Sequence, residues 1–131
     1  MVGCIVLTHG DLCYGLKNTL EGIMGKQEGL SVLSNAGLGR EELFSSLHQK
    51  ISEEDGGDGV IIFVDMFGTS CWQAAQRARL EASAKKVRTA VIAGVNLPML
   101  VKFFESRDSL SFDQLIPLII QEGEKGVRAG S

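Results

Sequence analysis

A chain of 131 residues, 44% apolar and 22% charged, has the size and balance of one globular domain around one core. Thirteen Lys and Arg against 16 Asp and Glu leave a formal charge of −3, which excludes a broad electrostatic grip on nucleic acid. No apolar stretch approaches the ~20 residues a membrane-spanning helix needs, so direct membrane insertion is excluded too. The chain opens on a strand-like GCIVLT with no basic segment and cleavage site before it, so no signal peptide and a cytoplasmic location are expected. Cys4, Cys13 and Cys71 are odd in number and show no CxxC spacing, so neither a disulfide framework nor a zinc site is expected. The basic run from Arg77 to Arg88 reads as a solvated helix face.

In chain order, the first apolar run is Gly3–Thr8, a strand. Leu12, Leu16, Leu20 and Ile23 then recur at three- and four-residue steps, predicting a helix over Asp11–Met24 with Asp11 as its cap. A second strand, Leu30–Ser34, ends in the turn-rich NAGLG, and Leu43, Leu47 and Ile51 mark a helix from Arg40 to Ser52. The acidic, glycine-rich segment 53–59 is a surface turn delivering Val60–Val64, whose unbroken apolar run suits a central parallel strand covered on both faces. A helix beginning at Thr69 or Ser70 runs to about Leu80, and Val87–Ala93 is the fourth strand. Asn96-Leu97-Pro98 opens the next helix, with proline in its first turn. Ser111 with Gln114 forms a capping box for the last, whose regularity Pro117 and Gly123 should limit. This alternation predicts a single α/β domain: an open, mainly parallel sheet flanked by helices.

In such sheets ligands bind beyond the carboxyl ends of the strands. Three polar segments fall there: Thr8-His9-Gly10-Asp11, Asp65-Met66-Phe67-Gly68-Thr69-Ser70, and Gly94-Val95-Asn96-Leu97-Pro98-Met99. A histidine in this place either is satisfied by nearby backbone or acts. His9 leaves a buried strand at the ligand edge and precedes Gly10, which lets a substrate approach the backbone; this favours a nucleophile or base. Asp65 ends the most apolar strand and needs partners there: a cation, the amides of its own loop, or an imidazole N–H. Paired with His9, it would fix the tautomer and leave the far ring nitrogen free. Gly68-Thr69-Ser70 entering a helix offers amides, hydroxyls and a positive dipole end to an anion, although capping alone explains many such starts. Gly37-Leu38-Gly39 lacks the third glycine of a dinucleotide fingerprint, and no P-loop is present. No metal or other cofactor is expected, and His48, alone on its helix, reads as exposed.

With these segments in place the sequence resembles the IIA component of the mannose/fructose/sorbose family of the sugar phosphotransferase system. The resemblance covers about residues 3–128. Its most specific pieces are Thr8-His9-Gly10 after the first strand, VIIFVDMFGTS at 60–70 followed by Gln73-Ala74-Ala75, and AGVNLPML at 93–100; SFDQL at 111–115 and EGEKGVRA at 122–129 also match. It implies a sheet of order 2-1-3-4 and a homodimer, often with a C-terminal antiparallel strand exchanged between subunits. It also implies that His9 takes a phosphoryl group on Nε2 from the phosphocarrier protein HPr, with Asp65 holding Nδ1–H, and passes it to a IIB component. Gly10, the loop Phe67, Gly68, Thr69 and Ser70, and the turn carrying Asn96, Pro98 and Met99 would line the phosphoryl site. Membrane IIC and IID components enter only indirectly, and the IIB acceptor is expected to be a separate protein.

Cys71 stands where the family often has proline, and Met66 and Phe67 replace more polar or larger residues. A thiol at a helix start is either acidified and reactive or a small packing residue. With only a few residues after Val127, the exchanged strand is expected to be short or missing. The alternative output is a phosphorylation-dependent regulatory module with the same chemistry at His9. A carrier serving dihydroxyacetone kinase fits the NLPM turn and the VDMFGTS loop poorly, and a histidine phosphatase would want an arginine beside its nucleophile, which Thr8-His9-Gly10 lacks.

Overall fold

A computed structural model describes residues 1–130. Strands β1 (Gly3–Thr8), β2 (Leu30–Ser34), β3 (Val60–Val64) and β4 (Thr89–Ile92) form one parallel sheet of order β2-β1-β3-β4. Helices α1 (Leu12–Met24), α2 (Arg40–Glu54), α3 (Ser70–Ala84), α4 (Leu97–Ser106) and α5 (Phe112–Lys125) follow in sequence. Because side chains alternate across a strand, each run of apolar residues feeds two cores. Cys4, Val6, Ile61, Phe63 and Ile92 face one side, against Leu20, Leu100, Phe103, Leu115 and Ile119. Ile5, Leu7, Val60, Ile62 and Val64 face the other, against Leu43, Leu47, Ile51, Ala75 and Ala78. The three-layer architecture and the sheet order are those expected. The central pair β1 and β3 is wholly buried, as their unbroken apolar sequences require.

Element ends differ from the sequence reading where a local bond decides them. The cap of α1 is not the side chain of Asp11, which makes no capping bond; the buried Thr8 hydroxyl accepts from Cys13 N at 2.8 Å instead. Thr8, fixed as the last residue of β1, already points at the open amide, whereas Asp11 is exposed. Helix α2 runs on to Glu54, whose carboxylate accepts the Ser31 hydroxyl. Helix α3 reaches Ala84, and Val87 N returns to Ala82 O, so Val87 closes the helix rather than opening β4. Helix α5 is continuous through Pro117, whose missing N–H leaves only the carbonyl of exposed Asp113 without its helical partner. Gly123 is buried because Met99 packs on it; a Cβ there would lie 2.5 Å from Met99 Cε. His48 is half-buried rather than exposed, stacked on Phe44 with ring centroids 5.9 Å apart. Residues 127–130, after α5, form no strand in the single chain.

Candidate functional site

The C-terminal ends of β1, β2 and β3 open on one rim, and each delivers a polar residue to it. His9 follows β1 directly, Asn35 follows β2, and Asp65 follows β3. Asp65 is held by three donors. Its Oδ2 accepts from His9 Nδ1 and from His9 backbone N, each at 2.9 Å, and its Oδ1 accepts from Met66 N, also at 2.9 Å. Two of the three partnerships open to this carboxylate in the sequence are therefore present together: it takes the amide of its own loop and it pairs with the imidazole. Burial raises the carboxyl's affinity for a proton, but the backbone and ring hydrogen bonds from His9 outweigh it, and the pKa lies below the ordinary carboxylate value.

An ionised carboxylate cannot donate, so the proton in this contact belongs to Nδ1, and in the tautomer that carries this one proton Nε2 is bare. The side chain of His9 is 40% exposed while that of Asp65 is only 11% exposed, so the bare nitrogen is on the open side of the pair. Ser70 Oγ lies 3.4 Å from Nε2 and Cys71 Sγ 3.9 Å from it. Both contacts are long, so an electrophile displaces little to reach this nitrogen. Gly10 follows with φ +59°, a left-handed turn that turns the chain into α1.

The loop from Met66 to Ser70 is exposed, and Phe67 is 75% exposed on it. Thr69 donates its hydroxyl to Met66 O at 2.8 Å, closing the loop, and α3 begins at Ser70 with its first amides directed at the rim. The amides of this helix start and the Ser70 hydroxyl can therefore serve an anion beside Nε2. The Gly10 amide is already used: it donates to Asn35 Oδ1 at 3.1 Å. Asn96, Pro98 and Met99 make no bond to His9 among the described residues. The Asn96 carboxamide caps α4 by accepting from Met99 N and donating to Gly123 O, each at 3.1 Å, while Met99 is buried against Gly123 and Pro98 lies against Gly126. These three frame the rim beside β4 by fixing α4 to α5.

Cys71 is buried, and burial first, then the charge of Asp65, pushes its thiol up to about 11. Burial and the raised thiol favour the packing reading of this cysteine over the acidified one. Ligand atoms of His9, Asp65 and Cys71 do lie within 4.8 Å of one another, so these are the residues that would hold a cation. For that the thiol would have to ionise against its burial, and Asp65 would have to exchange the imidazole N–H for the ion. Sequence reasoning missed Thr8 and Asn35. The signal for Thr8 was a hydroxyl residue ending a strand five positions before Cys13, the second residue of α1. For Asn35 it was an asparagine ending the strand beside β1.

A model described as EIIA-man, PTS system fructose IIA component, matches residues 3–120. The PTS system mannose-specific EIIAB component of Escherichia coli K12 is 34% identical over 130 residues, 98% of this chain. The chain spans only 39% of the length of that relative. The PTS system fructose-specific EIIA component of Bacillus subtilis is 30% identical over 117 residues, 88% of this chain and 77% of the relative. Among solved structures, phosphotransferase system component EIIA from Streptococcus agalactiae superposes with a TM-score of 0.90 over 98% of this chain and 97% of that one, at 22% identity. The PTS IIA protein associated with the fucose utilization operon from Streptococcus pneumoniae gives 0.84, covering 98% of this chain and 92% of that one, also at 22% identity.

Proposed function

This chain belongs to the mannose/fructose family of PTS system IIA components, and from that premise we propose that it is a phosphoryl carrier whose His9 accepts from HPr at Nε2 and donates to a IIB component. The observation that carries the reading is the pairing of His9 Nδ1 with Asp65, which leaves Nε2 unprotonated on the exposed side of the ring. In the forward step the Nε2 lone pair attacks phosphorus in line, the new N–P bond forms and the bond to the donor imidazole breaks. The donor leaves neutral when its second ring nitrogen carries the proton. His9 keeps its Nδ1 proton, so the phosphorylated ring gains positive charge against the Asp65 carboxylate. The same steps in reverse hand the group on, and a bond of one kind is exchanged for another, so transfer is close to isoenergetic.

Catalysis in this reading is positioning plus electrostatics. The helix start at Ser70 and its hydroxyl receive the equatorial oxygens; Phe67, Gly68 and Thr69 shape that loop, and Gly10 forms the opposite wall. Asn96, Pro98 and Met99 act more remotely, holding the β4 side of the rim. No metal is required by this chemistry, because the negative charge is met by donors of the chain. Among the described residues no helix is long and apolar enough to cross a membrane. The chain would thus serve the membrane IIC and IID components through IIB, from the cytoplasm.

We further assign a homodimer. Strand β4 pairs only with β3 among the described residues, leaving a sheet edge open. Beside it runs a groove of about 420 Å³ whose lining includes Phe67, Trp72, Val91, Ile120 and Val127. A second copy packed against this edge would cover both. Incubation with phosphoenolpyruvate, enzyme I and HPr, followed by intact-mass measurement, tests the carrier reading. One acid-labile phosphate is expected on the wild type and none on His9→Ala; a phosphate retained by His9→Ala, or none on the wild type, would contradict it.

A further inference from the structure

Two neighbours of β1 in the sheet each send one side chain into the backbone around His9. From the β3 side, Asp65 Oδ2 accepts the amide of His9 itself at 2.9 Å. From the β2 side, Asn35 Oδ1 accepts the amide of the next residue, Gly10, at 3.1 Å. The Asn35 backbone amide also donates to Thr8 O at 3.1 Å, extending the β1–β2 ladder by one bond to the residue before His9. The two peptides flanking His9 are therefore both held: Thr8–His9 by Asp65 and the Asn35 backbone amide, and His9–Gly10 by the Asn35 carboxamide.

The carboxamide of Asn35 is not spent on its own turn. The Ser34 hydroxyl accepts from Ala36 N, and the Asn35 carbonyl accepts from Leu38 N; backbone and serine thus close that turn without it. Only an oxygen can accept from Gly10 N, so the amide orientation is fixed, and its NH2 group has no protein partner among the described residues. Asn35 also lines, together with Ser70, a cavity of about 290 Å³ that opens on the rim. Gly10 needs this grip because its φ of +59° is one of several conformations open to a glycine, and another turn there would shift the chain leading into α1 relative to the imidazole.

We propose that Asn35 is a positioning residue for the histidine: by holding the Gly10 amide it fixes the turn that aims His9 Nε2 at the incoming phosphoprotein. The rate consequence rests on the carrier function proposed above; the geometric one does not. The test uses the full chain, 15N-labelled, as wild type, Asn35→Ala and Asn35→Asp, the last retaining an acceptor in reach of Gly10. In the unphosphorylated protein, Asn35→Ala should lose hydrogen-exchange protection at the Gly10 amide and shift the His9 ring nitrogens toward averaged tautomers, whereas Asn35→Asp keeps Gly10 protected. Phosphorylation from phospho-HPr should slow about tenfold in Asn35→Ala, the scale of one lost orienting hydrogen bond.

Unchanged Gly10 and His9 signals in Asn35→Ala would overturn the proposal, as would altered signals with a rate within about twofold of wild type. If Asn35→Ala does not fold, Asn35→Ser, which stays polar but falls short of Gly10, carries the same expectations. A wild type that takes no phosphoryl group would refute the carrier reading, and the amide and ring signals would still decide whether Asn35 holds the loop.

Discussion

At the scale of single residues the central fact is a division of labour within one imidazole. Asp65 pairs with Nδ1, and in the proposed function Nε2 is left to react. Replacing Asp65 by Asn keeps the side chain's size but removes the charge that matches the phosphorylated ring, so phosphoryl transfer from phospho-HPr should fall by about ten- to a hundredfold with circular dichroism unchanged. An unchanged rate would remove Asp65 from the chemistry. The depressed pKa of Asp65 also has a sign in stability. Its contribution is present above the ordinary carboxylate value of ~3.9 and is lost as pH falls through the lower folded value. The stability gap between wild type and Asp65→Asn, measured by urea titration, should therefore be constant near neutrality and narrow in acid. His9 and Asp65 were legible in the sequence because a charged or ionisable residue ending a buried strand must find a partner, and the rim offers each the other. Asn35 was not legible, since asparagine after a strand is ordinary turn chemistry and only the register of β2 on β1 brings its oxygen to Gly10.

At the scale of elements, the helices end where a specific bond ends them. Thr8 does for α1 what Asp11 does not, so Thr8→Val should destabilise the fold by about 1–2 kcal/mol and Asp11→Ala should be near neutral, read as shifts of the urea midpoint. Equal effects would remove Thr8 from its capping role. The sequence displayed the helices well, because Leu43, Leu47 and Ile51 announce a buried stripe; in α1 the same spacing marked the helix, although only Leu20 of Leu12, Leu16, Leu20 and Ile23 is fully buried, and Leu12 and Ile23 are exposed. It displayed their ends poorly: Glu54 meets a partner distant in the chain, Pro117 is tolerated because it is exposed, and Val87 sits in a strand-like run while its amide returns to Ala82. The order of strands was likewise absent from periodicity. Alternation of strand and helix is common to many parallel sheets, and only the resemblance pointed to 2-1-3-4.

At the scale of the whole molecule, the two layers of helices leave the rim of β1, β2 and β3 open and, among the described residues, both sheet edges, β2 and β4, without a further strand, with the apolar groove beside β4. Sedimentation should give a particle of twice the chain's 14.1 kDa, and Ile120→Asp, which charges the groove beside β4, should return it to the monomer. A monomeric wild type would refute the assigned dimer without touching the rim. That rim gives the account its most direct test, which is the linkage formed there. In a nitrogen-15 and phosphorus-31 magnetic resonance spectrum of the chain phosphorylated through HPr, phosphorus should couple to Nε2 of His9 while Nδ1 retains its proton. Coupling to Nδ1, or to a residue other than His9, would contradict the account.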